Sequence, residues 1–128
     1  MVDDPRHWAP RGDEDRVTRA FCQWLLDNGW EHVTREVDYV DVAATRDGAR
    51  LLAEVKGETS GNRRKNVDSL YGQLLRRMQE DDDPSSHFAL VIPASCRAAA
   101  LDVPKRVRKE LRISVYVVEQ EGTVTEAQ

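Results

Sequence analysis

A chain of 128 residues is the size of one domain, able to withdraw roughly two thirds of its unfolded surface from water. Its 40% hydrophobic and 33% charged residues are those of a soluble globular protein, and no apolar run approaches the roughly 20 residues that span a bilayer. A net charge of -4 excludes a surface uniformly coated in positive potential, but the charge is unevenly spread.

Residues 1–12 hold two prolines and a glycine without periodicity and are expected to form a flexible arm, with Trp8 free to dock. The opening MVDDPRHW has neither the basic nor the apolar region of a secretory signal, so a cytoplasmic location is expected. Asp13 to Asn28 reads as a helix, with acids in its first turn and Asn28-Gly29 as its stop. Val17, Ala20, Phe21 and Trp24 make its apolar stripe, and Glu14 falls on the same inward side. Trp30 to Val37 suits a strand near a sheet edge, with His32 as an edge histidine.

Two apolar runs between Asp38 and Gly57 flank Asp47-Gly48, a dipeptide suited to a two-residue hairpin turn. The register this turn imposes pairs Arg46 with Ala49, Ala43 with Leu52 and Asp41 with Glu54. Directly opposed residues share a face of the sheet, with Cβ atoms about 4.5–5.5 Å apart. Lys56 follows Glu54 by two and returns to that face. Asp38, the rival acid, falls opposite Gly57 on the other face. Two opposed acids destabilise a hairpin unless something compensates them, and a divalent cation does so.

A polar loop, ETSGNRRKN, leads into a helix expected from about Asn66 to Glu80, its core face formed by Val67, Leu70, Tyr71, Leu74 and Met78. Gln73 sits on the flank of that face. Gly72 is costly within a helix, which suggests close approach to another backbone or a ligand. Asp81-Asp82-Asp83-Pro84 is read as a solvated turn that ends the helix. His87 to Pro93 is an unbroken apolar run, the mark of a strand buried on both faces, and a right-handed crossover sets it parallel to Leu51–Lys56. Ala94 to Leu101 reads as helical, and a further helix runs to Arg112 with Asp102 as its cap and Pro104 in its first turn. Ile113 to Glu119 is a last strand, and residues 120–128 form a polar tail. Cys22 and Cys96 lack metal-like spacing and are expected as buried, reduced thiols.

The order is αβββαβααβ, an α/β fold with a mixed sheet flanked by helices, in a single domain over 13–119. Five basic residues stand against one acid between Gly61 and Gln79, and six against two between Arg97 and Arg112. Such patches can grip a polyanion. Hard oxygen donors at Asp41 and Glu54 suit Mg²⁺, which takes one or two carboxylates and completes its shell with water and phosphate oxygens.

Asp41, a hairpin and then Glu54-Val55-Lys56 resemble the D…(D/E)xK signature of the PD-(D/E)xK, or restriction-endonuclease-like, nuclease superfamily. The likeness runs from about Asp13 to Glu119, although Val40 stands where many members have proline. It implies a metal-dependent nuclease using Mg²⁺ or Mn²⁺, with Asp41 and Glu54 as metal-binding acids and Lys56 as catalytic lysine. Val55 would add its carbonyl to the metal shell, while Glu14 and Gln73 match auxiliary catalytic positions of some branches. Arg63, Arg64, Lys65, Arg76 and Arg77 would then meet the phosphates of nucleic acid, with DNA favoured over RNA. A chain this short cannot surround a duplex, so cutting both strands calls for a homodimer or a larger complex. A different reading stays open: an inactive module of the same fold that binds nucleic acid or serves as a subunit.

Overall fold

The computed structural model describes residues 12–37 and 39–128, so the expected N-terminal arm, Trp8 and Asp38 lie outside the described residues. Helix α1 (Asp13–Asp27) precedes three antiparallel strands, β1 (Glu31–Val37), β2 (Val40–Arg46) and β3 (Ala49–Val55). Helix α2 (Arg63–Arg76) crosses to β4 (His87–Pro93). A 3-10 turn (Ala94–Cys96), α3 (Arg97–Leu101) and α4 (Lys105–Glu110) lead to β5 (Ile113–Val118) and β6 (Val124–Ala127). The six strands form one mixed sheet in sequential order. β3, β4 and β5 run parallel, and the remaining neighbours pair antiparallel.

Each face of the sheet buries its own layer. Phe21 and Leu25 of α1 are fully buried against Val42, Ala53, Val91 and Val118. Val67, Leu70 and Leu74 of α2 pack on Leu52, Phe88 and Leu90 across the sheet. A fully buried side chain of this kind contributes about 1.5–3 kcal/mol. β4, buried throughout after His87, lies between both layers as its uninterrupted apolar run requires. Among the described residues, no helix is long and apolar enough to cross a membrane.

Several boundaries depart from expectation for local reasons. α2 starts at Arg63 rather than Asn66, because Asn62 caps it by accepting the Lys65 N–H at 3.0 Å. It ends at Arg76, so the aspartate run lies in the following loop and does not stop the helix. There Asp82 accepts the Gln79 N–H and Asp83 that of Ser85. Asp102 pairs with Arg64 and closes α3 instead of starting the next helix, and Pro104 takes the N-terminal cap position of α4. The polar residues after Glu119 are not a bare tail, since Val124–Ala127 pairs with β5 through Val118↔Val124 and Val115↔Ala127. The outer strand β1 is irregular, with a bulge between Glu31 and Thr34 and positive φ at His32 (53°) and Glu36 (57°).

Gly72 does not make the close approach expected of it. A Cβ placed there meets nothing within 4 Å. Gly72→Ala is therefore expected to raise stability by about 1 kcal/mol, read as a higher urea midpoint at unchanged slope. A loss of stability would show that the glycine serves a contact.

Candidate active site at the open end of the hairpin

The hairpin turn decides the geometry. Asp47 (φ 51°) and Gly48 (φ 82°) both take positive φ, as a two-residue turn of the primed type requires. The resulting pairs run Arg46↔Ala49, Ala43↔Leu52 and Val42↔Ala53. The ladder ends at Val42↔Ala53, and Asp41 lies just beyond it, beside Glu54. Here the Asp41 side chain supplies the bond that holds β3, its Oδ2 accepting the Val55 N–H at 2.7 Å. The Lys56 N–H donates to the Val91 carbonyl at 2.9 Å, which extends the parallel ladder past β3 and carries the strand alternation through to Lys56.

Glu54 is 2% exposed although it is ionisable. Arg77 Nε donates to its Oε1 at 2.9 Å. The Glu54 carboxyl is pushed up to about 7, first by burial and then by the neighbouring Asp41 carboxyl, while Arg77 opposes both. The two acids thus lie side by side. Glu14 reaches the same neighbourhood from α1, on the rim. Its carboxyl is raised first by burial and then by the charge of Asp41, while Lys56 and Arg35 pull it down.

Gly57 makes this approach of α1 possible. A Cβ at Gly57 would lie 2.3 Å from the Glu14 backbone nitrogen and 2.6 Å from its Cα. The contact is reinforced by the Glu58 N–H, which donates to Asp13 Oδ2. Arg16 holds the other oxygen of Asp13 at 2.8 Å and, with Glu58, keeps that carboxyl below its ordinary range.

Asp41, Glu54, Lys56 and Glu14 are therefore gathered at one end of the β2–β3 hairpin. Val55 contributes its N–H to Asp41. Gln73 is exposed on α2 and has no hydrogen bond to these acids among the described residues. The basic residues divide. Arg63 lies 3.6 Å from Glu58 and Arg64 pairs with Asp102, both at largely exposed positions where an ion pair contributes about 0–1 kcal/mol and yields readily to a phosphate. Lys65 and Arg76 are exposed. Arg77 turns inward to Glu54, a role that its surface-type sequence context hides. The available signal was its position, three residues after Leu74 and seven after Leu70, on the buried stripe of α2.

A cleft of about 730 Å³ is lined by Tyr39, Arg50, Leu52, Arg76, Arg77 and the 81–83 aspartates among others, and by none of Glu14, Asp41, Glu54 and Lys56. Arg77 borders both the cleft and the acid pair. Among the described residues, no three histidine, cysteine, aspartate or glutamate side chains cluster as a metal site.

No protein-family model matches the chain, and no curated protein sequence does. Solved structures do match. That of an fdxN element excision controlling factor protein from Anabaena variabilis has a TM-score of 0.61 at 21% identity, covering 87% of this chain and 96% of that one. That of a XisH family protein from Nostoc punctiforme has a TM-score of 0.56 at 22% identity, covering 88% of this chain and 99% of that one. At such identity the likeness is one of fold. This chain has the mixed α/β fold of those excision-controlling and XisH family structures.

Proposed function

We propose that the chain is a Mg²⁺-dependent phosphodiesterase that hydrolyses nucleic acid, DNA in preference to RNA. The observation that carries this reading is the buried Glu54 held beside Asp41 at the open end of the hairpin, with Lys56 next on the same face. The acid pair fits a hard divalent ion: Asp41 and Glu54 bring two carboxylates to one place, and Mg²⁺ needs no more than two protein carboxylates. Asp41 and Glu54 would hold it, with Mn²⁺ an acceptable substitute. When bound, such an ion polarises a phosphoryl oxygen and acidifies a water.

The protein groups divide the remaining work. Lys56 orients the attacking water and offsets the negative charge that grows on the phosphate. The water oxygen forms a bond to phosphorus as the phosphoester bond breaks. The water's proton passes to solvent, and the departing oxygen takes one up. Glu14 adds a third carboxyl at the rim, and Arg76 with the 63–65 cations steers the strand without reading its sequence. The excision-controlling name of one structural neighbour supports DNA as the substrate.

Plasmid, single-stranded DNA and RNA, incubated with Mg²⁺ or Mn²⁺, test the proposal. Cleavage is expected from the wild type and should fall at least about a hundredfold in Glu54→Ala and Lys56→Ala proteins that keep their far-UV dichroism. A wild type that leaves all three substrates intact overturns it. One observation favours a second reading, a binding module without activity: Arg77 already neutralises Glu54. Salt-sensitive DNA binding without cleavage would establish that reading.

A further inference from the structure

Arg77 follows directly on α2, its side chain 30% exposed against 3% for Glu54. Its guanidinium carries five N–H donors. Among the described residues, only the Nε donor has a recorded partner, Glu54 Oε1 at 2.9 Å. The residue also lines the cleft of about 730 Å³, together with Arg50, Arg76 and the 81–83 aspartates. One side of Arg77 therefore meets a buried carboxylate, and another meets a space open to a ligand.

Two cations cannot share Glu54 cheaply. A divalent ion on the acid pair and a guanidinium on Glu54 neutralise the same charge, and they repel each other at this separation. A phosphodiester in the cleft offers Arg77 a better partner, because its two anionic oxygens match the guanidinium fork. Glu54 accepts one bond from that fork.

We propose that Arg77 is a counter-ion displaced by substrate: it neutralises Glu54 in the free protein and moves to a backbone phosphate in the cleft, releasing Glu54 to the divalent ion. The inference rests on the phosphodiesterase reading and adds a control to it. Ion and nucleic acid then bind with positive coupling, each raising the affinity for the other by the same factor. The free protein takes up its ion weakly, which keeps the site quiet until a strand is present. Arg77 is thus both a brake on ion binding and a ligand of the substrate.

Calorimetric titration with Mn²⁺ at about pH 8, where ordinary carboxylates are ionised, separates the possibilities. Arg77→Gln keeps a hydrogen-bond donor for Glu54 but removes the charge, and it should bind Mn²⁺ at least about tenfold more tightly than wild type. Arg77→Lys, retaining the charge, should bind as weakly as wild type. In a Lys56→Ala background, which stops turnover, a short oligodeoxynucleotide should tighten Mn²⁺ binding several-fold, and Arg77→Gln should erase that effect. Mn²⁺ binding that is lost in Glu54→Gln but no tighter in Arg77→Gln overturns the counter-ion role and leaves the metal site standing. Folded wild type and Arg77→Gln that both fail to bind Mn²⁺, with or without oligonucleotide, overturn the metal reading and this inference together.

Discussion

Replacing Gly57 with alanine is expected to destabilise the protein by about 2–3 kcal/mol and to weaken the site at the same time. The added Cβ would lie 2.3 Å from the Glu14 nitrogen, 2.6 Å from its Cα and 2.7 Å from the Asp13 carbonyl carbon. All three are backbone atoms, so no rotamer change relieves the clash, and α1 must shift away from β3. Overpacking of this kind costs about 1–3 kcal/mol, occasionally more. The displaced first turn also carries Glu14 away from Asp41 and Lys56 and strains the bond between Asp13 and the Glu58 N–H. Gly61→Ala is a matched control, because its nearest neighbours lie 3.6 Å from the added Cβ. It should remain within about 0.5 kcal/mol of wild type, as surface substitutions do. Equal urea midpoints for the two variants would refute the tight seating of α1 on the β3 terminus.

The stability of the ion-free protein should fall as pH rises from about 5 to about 8. The Glu54 carboxyl titrates from an ordinary value of 4.5 in the unfolded chain to about 7 in the folded one. The folded state therefore holds its proton more tightly. Between those values it binds more protons than the unfolded state, so stability declines across the interval and levels off above it. A shift of this size corresponds to at most about 3 kcal/mol. Glu14, also raised, acts in the same direction. Asp13, held below its ordinary 3.8, contributes stability that is lost only under stronger acid and leaves this interval untouched. Urea unfolding in the presence of a chelator should reveal the decline. Glu54→Gln should flatten it and exceed wild type at the alkaline end, and Mg²⁺ in excess should restore wild type there by binding only the folded form. A level profile for wild type would mean that Glu54 ionises freely.

The parts of the site legible in the sequence are those separated by one turn. Asp47-Gly48 determined the register, and the register placed Asp41 beside Glu54. The apolar run at His87–Pro93 similarly announced a central strand, because no amphipathic element can be buried on both faces. Contacts made only by tertiary packing were not legible. Gly57 meets Glu14 across 43 residues, and an unremarkable glycine after a strand carries no mark of that approach. Arg77 is set apart from Arg76 by its place on the buried stripe, but that place does not name Glu54 as its partner, and Arg76 faces solvent. The shifted start of α2 turned on the cap at Asn62, within a polar run offering other caps. β6 has too few apolar residues to declare itself and gains its place from the edge of β5.

The irregular β1 has a bearing on how copies of the chain can meet. A sheet edge invites another chain only where it offers an unbroken row of backbone donors and acceptors. On β1 that row is interrupted by the bulge after Glu31 and turned aside at His32 and Glu36. At the opposite border β6 offers just four residues, Val124–Ala127. Neither margin is a template for strand addition. The protein is thereby guarded against runaway edge-to-edge aggregation.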